Sequence, residues 1–209
     1  MKNTRPILYS FRRCPYAIRT RMVLQYSDID YELREVVLKS KPSSMLSFSP
    51  KGTVPVLVLD NHNVIDESRD VIDWSLRQHD PENWKLQLSK DESKQLIDRN
   101  DGEFKHYLDR YKYFERYPES SQHVYREKAE EFLSLLNNIL ENNQYLSADK
   151  MSAVDVSIFP FVRQFAFVDK DWFDKTQYTH LQRWLNQFLQ SDMFTAVMHK
   201  HKPWQDVSL

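Results

Sequence analysis

With 209 residues, 41% of them hydrophobic and 13% aromatic, the chain is long enough for one large domain or two small ones with real cores. Its 29 basic and 30 acidic side chains leave a formal net charge of -1, which excludes bulk attraction to nucleic acid or an acidic membrane, so neither is expected as a partner. One cysteine excludes an intrachain disulfide, two glycines leave no phosphate-cradling glycine loop, and neither Met1 to Pro6 nor any later stretch has the apolar run of a signal peptide or a bilayer span, so a cytoplasmic protein is expected.

The apolar run Ile7-Leu8-Tyr9 is short enough for a buried strand, and Ile18, Met22, Val23 and Tyr26 form an apolar stripe at helical spacing. Between them lies Ser10-Phe11-Arg12-Arg13-Cys14-Pro15-Tyr16-Ala17, which puts the only cysteine where a strand turns into a helix. Pro15 fits the first helical turn, where its missing N–H would have no intrahelical partner. The open N–H groups, the positive end of the helix dipole and Arg12 and Arg13 all favour thiolate over thiol. The competing reading is a buried, inert cysteine acting as a small hydrophobe, the commoner fate of a lone cysteine. The flanking arginines and Pro15 weigh against it. Where Cys-x-x-Cys oxidoreductases keep a resolving thiol, this chain has Ala17, so a redox cycle must borrow its second sulfur. In a cytosol the abundant donor of that sulfur is glutathione.

A turn at Asp28-Ile29-Asp30 precedes a predicted strand over Tyr31 to Leu38, and Lys39 to Phe48 reads as a short irregular helix. Val56 to Leu59 and Val64-Ile65, separated by Asp60-Asn61-His62-Asn63, read as a β-hairpin. Asp66-Glu67-Ser68 opens a helix whose face carries Val71, Ile72 and Leu76, as acidic and hydroxyl residues do at helix starts. The order βαβ-α-ββα over residues 1–80 is that of an α/β thioredoxin-like domain. Residues 81–90 lose periodicity after Asp80-Pro81 and read as a linker.

Residues 91–209 read as an all-α domain. Its predicted helices run from Asp91 to about Phe114 and from Gln122 to Asn142, the latter with a Leu133, Leu136, Leu140 stripe. Ser152-Ala153-Val154-Asp155 has the capping-box pattern, and the apolar helix it starts, kinked at Pro160, should be the core of this half. Further helices are expected from about Thr179 to Leu189 and from Met193 to His199. Arg126 to Glu131 reads as a solvated face, and the histidines show no spacing with Cys14 that would make a metal site.

The ordered set Cys14-Pro15-Tyr16-Ala17, Thr53-Val54-Pro55-Val56, Asp66-Glu67-Ser68 and the Ser152 to Asp155 box resembles the cytosolic glutathione transferases over nearly the whole chain. Within them it looks most like the cysteine-type members, the omega class and its bacterial relatives. The resemblance implies an enzyme with glutathione as co-substrate, acting as a thiol transferase or dehydroascorbate reductase on a small-molecule or glutathionylated substrate, and a homodimer. Cys14 matches the cysteine that forms a mixed disulfide with glutathione. Pro55 matches a cis-proline that leaves the Val54 backbone free to pair with glutathione, Glu67 and Ser68 match the pair that holds the γ-glutamyl end, and Lys41 matches a lysine near the glycyl carboxylate. Tyr107, Tyr111 and Trp172 are implied pocket residues for the second substrate, against core or interface packing as the alternative. Omega members often carry phenylalanine where Tyr16 stands, and Tyr9 and Ser10 lie where other transferases keep an activating hydroxyl. The alternatives left open are a conjugating transferase acting on small electrophiles and a non-enzymatic adaptor of the same fold.

Overall fold

Alternation of side chains builds the first sheet. Tyr9, Val56 and Val58 face one cluster, with Val36, Met45 and Val54, while Leu8 and Leu57 face another, with Leu24 and Val71. The computed structural model describes residues 5–147 and 149–206; Met1 to Thr4, part of the stretch expected to hold no signal peptide, lie outside them. Four strands, β1 (Ile7–Ser10), β2 (Glu32–Glu35), β3 (Val56–Val58) and β4 (Val64–Ile65), stand in the order β2-β1-β3-β4. β1 runs parallel to β2 and antiparallel to β3, and β3 pairs antiparallel with β4. Helices α1 (Pro15–Tyr26), α2 (Ser43–Phe48) and α3 (Ser68–Gln78) complete the βαβ-α-ββα order.

β2 is shorter than its predicted span because pairing with β1 ends at Glu35, after which Val37 turns back onto Ser40. Gly52 has φ +64, in the left-handed region that a side chain rarely adopts, so this turn favours glycine.

The chain divides into two units, one taking residues up to Glu82 together with those from Asp192 onward, the other Asn83–Ser191. Two expectations change here. The expected linker 81–90 contains α4 (Trp84–Ser89), anchored by Trp84 at 3% exposure. Residues from Asp192 onward, expected in the helical domain, belong with the sheet because their partners are there. The Trp204 N–H donates to the Glu35 carbonyl at 2.8 Å, Pro203 bridges Glu35, and Asp206 accepts from the Ser43 hydroxyl and the Ser44 N–H at the start of α2. The first two of these contacts pair the segment with the end of β2 at Glu35.

The helical unit contains α5 (Asp91–Arg99), a π-helical turn (Asn100–Phe104), α6 (Lys105–Lys112), a 3-10 turn (Phe114–Arg116) and α7 (Gln122–Ile139). It continues with α8 (Ala153–Ala166), α9 (Lys170–Phe173) and α10 (Thr179–Leu189), while α11 (Asp192–Val197) belongs to the first unit. Leu133, Leu136 and Leu140 are fully buried, as their spacing predicts. Arg126 departs from the expected solvated face: its guanidinium lies 4.2 Å from the Trp172 ring centre. Among the described residues no helix is long and apolar enough to cross a membrane.

α8 continues to Ala166 past Pro160, which supplies no N–H to the carbonyl four residues earlier. Its start is the predicted capping box. The fully buried Asp155 accepts at Oδ2 from the Ser152 N–H (3.1 Å) and hydroxyl (2.9 Å), and at Oδ1 from the Leu146 N–H (2.8 Å) and the Trp184 indole N–H (2.9 Å). Burial pushes the Asp155 carboxyl pKa up, and these donors oppose the shift. Asp155→Ala strips the acceptor from those buried donors and should cost about 2–4 kcal/mol of stability, measured by chemical denaturation. An unchanged midpoint and slope would show that the box contributes nothing net.

Candidate functional site

Cys14 occupies the N-cap of α1 with Pro15 at the first helical position, as read from the sequence. Its N–H donates to the Phe11 carbonyl and its carbonyl accepts from the Ile18 N–H, at 3.0 and 2.9 Å. The side chain caps no backbone N–H of the helix. The thiol lies instead 3.8 Å from the Val54 carbonyl oxygen, toward which it donates, because a protonated sulfur is a donor and the helix start offers only donors.

The loop that delivers Cys14 is held from beneath by Arg21, 2% exposed on α1. Its guanidinium donates to the Ser10 hydroxyl, to the Phe11 carbonyl at 3.4 Å, to the Arg12 carbonyl at 2.8 Å and to the Val197 carbonyl at 3.0 Å. Burial pulls the Arg21 pKa below its ordinary value, while Tyr31, Glu35 and Cys14 act in the opposite sense. Glu35 also accepts from the Arg12 N–H at 2.9 Å.

A pocket of about 680 Å³ opens beside the thiol and is lined by Cys14, Lys41, Val54, Pro55, Glu67 and Ser68, all singled out from the sequence. The Val54–Pro55 bond is cis. Tyr16, Leu38, Lys51, Gly52, Thr53 and Asp66 complete the lining. Lys51 is the addition with most consequence, since its ammonium meets Asp66 at 3.0 Å and Glu67 at 2.8 Å. A hydrogen bond from the Ser49 hydroxyl at 2.7 Å, followed by Lys51, holds the Asp66 carboxyl below the usual carboxylate range. At the start of α3 the Ser68 hydroxyl accepts from Arg19 Nε and Nη2 at 3.0 and 2.8 Å.

Sequence reasoning missed Arg19 and Arg21, which are buried on α1 among apolar residues. Their only signal was two arginines at an interval of two within a helix that otherwise reads as core. Arg12 and Arg13 do not line the pocket; the Arg13 guanidinium lies 5.9 Å from the Phe11 ring centre. The Tyr9 hydroxyl is engaged by Arg34 at 2.7 Å and by Ser44 at 2.8 Å, and Ser10 is fully buried on Arg21. Neither presents its hydroxyl to the pocket.

In the helical unit Tyr111 and Trp172 both pack on Phe165, with ring centres 5.0 and 6.1 Å away. Tyr111 also lines a second cavity, of about 520 Å³, with Gln122, His123 and Arg126. Tyr107 stands apart from this cluster, edge-on to His106 with ring centres 4.9 Å apart.

Comparison with known proteins gives this arrangement its relatives. Residues 8–84 match the family description "Glutathione S-transferase, N-terminal domain" and residues 95–187 match "Glutathione S-transferase, C-terminal domain". Human glutathione S-transferase omega-2 is 41% identical over 61 residues, covering 29% of this chain and 25% of that protein. The chloroplastic glutathione S-transferase DHAR3 of Arabidopsis thaliana is 24% identical over 147 residues, 70% of this chain and 53% of its own. The matched stretches thus span a quarter to about half of these curated relatives. A glutathione transferase family member from Pseudomonas fluorescens, solved with two glutathione bound, superposes with a TM-score of 0.77 at 15% identity, covering 95% of this chain and 94% of that one. With both halves of the chain matched in order and the same fold throughout, the chain belongs to the glutathione S-transferase family.

Proposed function

We propose that the chain is a glutathione-dependent thiol transferase and reductase in which Cys14 is the only catalytic thiol. The observation that carries this reading is the seat of Cys14, at a helix start beside Val54 in the pocket that also contains Lys41, Pro55, Glu67 and Ser68. The Cys14 thiolate attacks the glutathionyl sulfur of a mixed disulfide between glutathione and a substrate thiol. A sulfur–sulfur bond forms to Cys14, and the substrate sulfur leaves as a thiolate that takes a proton from water. A second glutathione thiolate then attacks the glutathionyl sulfur, forming glutathione disulfide and returning Cys14 as the thiolate. The electron pair that reduces the substrate sulfur comes from this second glutathione. Ala17, fully buried in the resolving position, offers no sulfur of its own.

The pocket suits the rest of glutathione. Ionised Cys14 no longer donates to the Val54 carbonyl, which becomes available to the cysteinyl N–H of the ligand. Lys41 takes the glycyl carboxylate, Ser68 and the start of α3 take the γ-glutamyl carboxylate, and Glu67 takes the ammonium in exchange with Lys51. Thiol transfer is favoured over conjugation because the Tyr9 and Ser10 hydroxyls are spent on Arg34, Ser44 and Arg21.

Two measurements test this reading. Oxidised glutathione should leave one glutathionyl adduct per chain by intact-protein mass spectrometry, cleared by reduced glutathione and absent from Cys14→Ser, which should also lose thiol transfer. An adduct that persists in Cys14→Ser, or none on wild type, would refute the mechanism. Glu67→Gln should weaken glutathione binding about three- to tenfold by calorimetry, since it removes one charge-assisted contact at an exposed position. Undiminished affinity would take Glu67 out of the site.

A further inference from the structure

Ser68 is the first residue of α3, an 11-residue helix, and is 3% exposed at the wall of the pocket. Its hydroxyl oxygen accepts from Arg19 Nε at 3.0 Å and from Nη2 at 2.8 Å. A serine oxygen has two lone pairs and one hydrogen, and a guanidinium has donors but no acceptor. The two arginine donors therefore take both lone pairs and leave the hydrogen unspent. Among the described residues the Ser68 hydroxyl has no acceptor for that hydrogen. Ser68 lines the pocket, so an acceptor bound there can take that hydrogen. Arg19 is itself confined, at 1% exposure and with its guanidinium carbon 5.1 Å from the Tyr16 ring centre, so the fork stays on Ser68.

We propose that Arg19 is a positioning residue that makes Ser68 an obligate hydrogen-bond donor, so that the start of α3 selects a carboxylate and rejects an ammonium. The positive end of α3 acts in the same sense as the donated hydrogen. Without Arg19, the Ser68 hydroxyl is free to rotate and to present a lone pair instead, and the selection weakens. The inference rests on the glutathione reading above, in which that carboxylate is the α-carboxylate of the γ-glutamyl end.

The test is calorimetric titration of the full chain with glutathione and with 4-aminobutanoyl-cysteinylglycine, which keeps the amine and lacks that carboxylate. Wild type should prefer glutathione by about ten- to hundredfold, the range of a hydrogen bond to a charged group. Arg19→Met and Ser68→Ala should each cut the preference by about tenfold, and the double variant should cut it no further, because both act through one hydrogen. A merely structural Arg19 would weaken both ligands alike, so an unchanged preference in Arg19→Met overturns the inference. Losses that multiply in the double variant overturn it too.

A measurement on wild type covers the case in which Arg19→Met does not fold. The Arg19 Nε–H resonance should shift on saturation with glutathione and stay in place with the analogue; equal shifts overturn the inference. Equal affinity of wild type for the two ligands overturns the role of Arg19 and leaves the glutathione reading standing, whereas absence of glutathione binding overturns both.

Discussion

Arg21 places a cation where water does not reach, and the pocket unit is arranged around satisfying it. Removing a guanidinium from water costs several kcal/mol, recovered only through well-placed partners. Among the described residues Arg21 has no carboxylate in ion-pair contact. It relies on oxygens from Ser10, Phe11, Arg12 and Val197. Three of these belong to consecutive residues just before Arg13 and Cys14, so fixing the guanidinium fixes the path of the chain into the helix start. The location of the thiol follows from a buried charge that does not itself line the pocket.

Two helix starts meet at this pocket, that of α1 with Cys14 and that of α3 with Ser68. Arg19 and Arg21, two residues apart on α1, point their charges to different places, one to the hydroxyl at the start of α3 and the other to the loop before Cys14. A single helix thereby favours negative charge at two positions, the Cys14 sulfur and the start of α3. Lys51 balances the acidic side by pairing with Asp66 and Glu67, which keeps those carboxylates from opposing an incoming anion.

How much of this was readable from sequence depended on whether the interaction was local. The apolar runs at Ile7–Ser10 and Val56–Val58, the helix start after Cys14 and the Ser152–Asp155 box are signals carried by a few consecutive residues, and each was legible. Cys14, Lys41, Val54, Pro55, Glu67 and Ser68 line one pocket, whereas Tyr107, Tyr111 and Trp172 are not among its lining residues, and the supports of the six did not show. Arg19 and Arg21 read as interruptions of an apolar helix face, because the oxygens that make their burial tolerable come from α3, the loop before Cys14 and Val197. α4 was hidden by the turn signal at Asp80-Pro81, and only its buried Trp84 marked it as more than a linker. The bridging of Asp66 and Glu67 by Lys51 was likewise not visible.

Segment 192–206 is synthesised after all of residues 83–191, yet it completes the unit that those residues interrupt. Val197 supplies a carbonyl to Arg21, Trp204 pairs with Glu35, and Asp206 caps the start of α2, just after Lys41. During synthesis on a ribosome, the sheet and its first helices emerge with Arg21 short of an acceptor and the edge of β2 open at Glu35. Closing a loop of that length carries an entropy cost that grows only logarithmically, so the late docking is thermodynamically light. Kinetically, contacts of such high sequence separation form more slowly than the local ones they join, so the support that Val197 gives Arg21 and Asp206 gives α2 is slow to arrive.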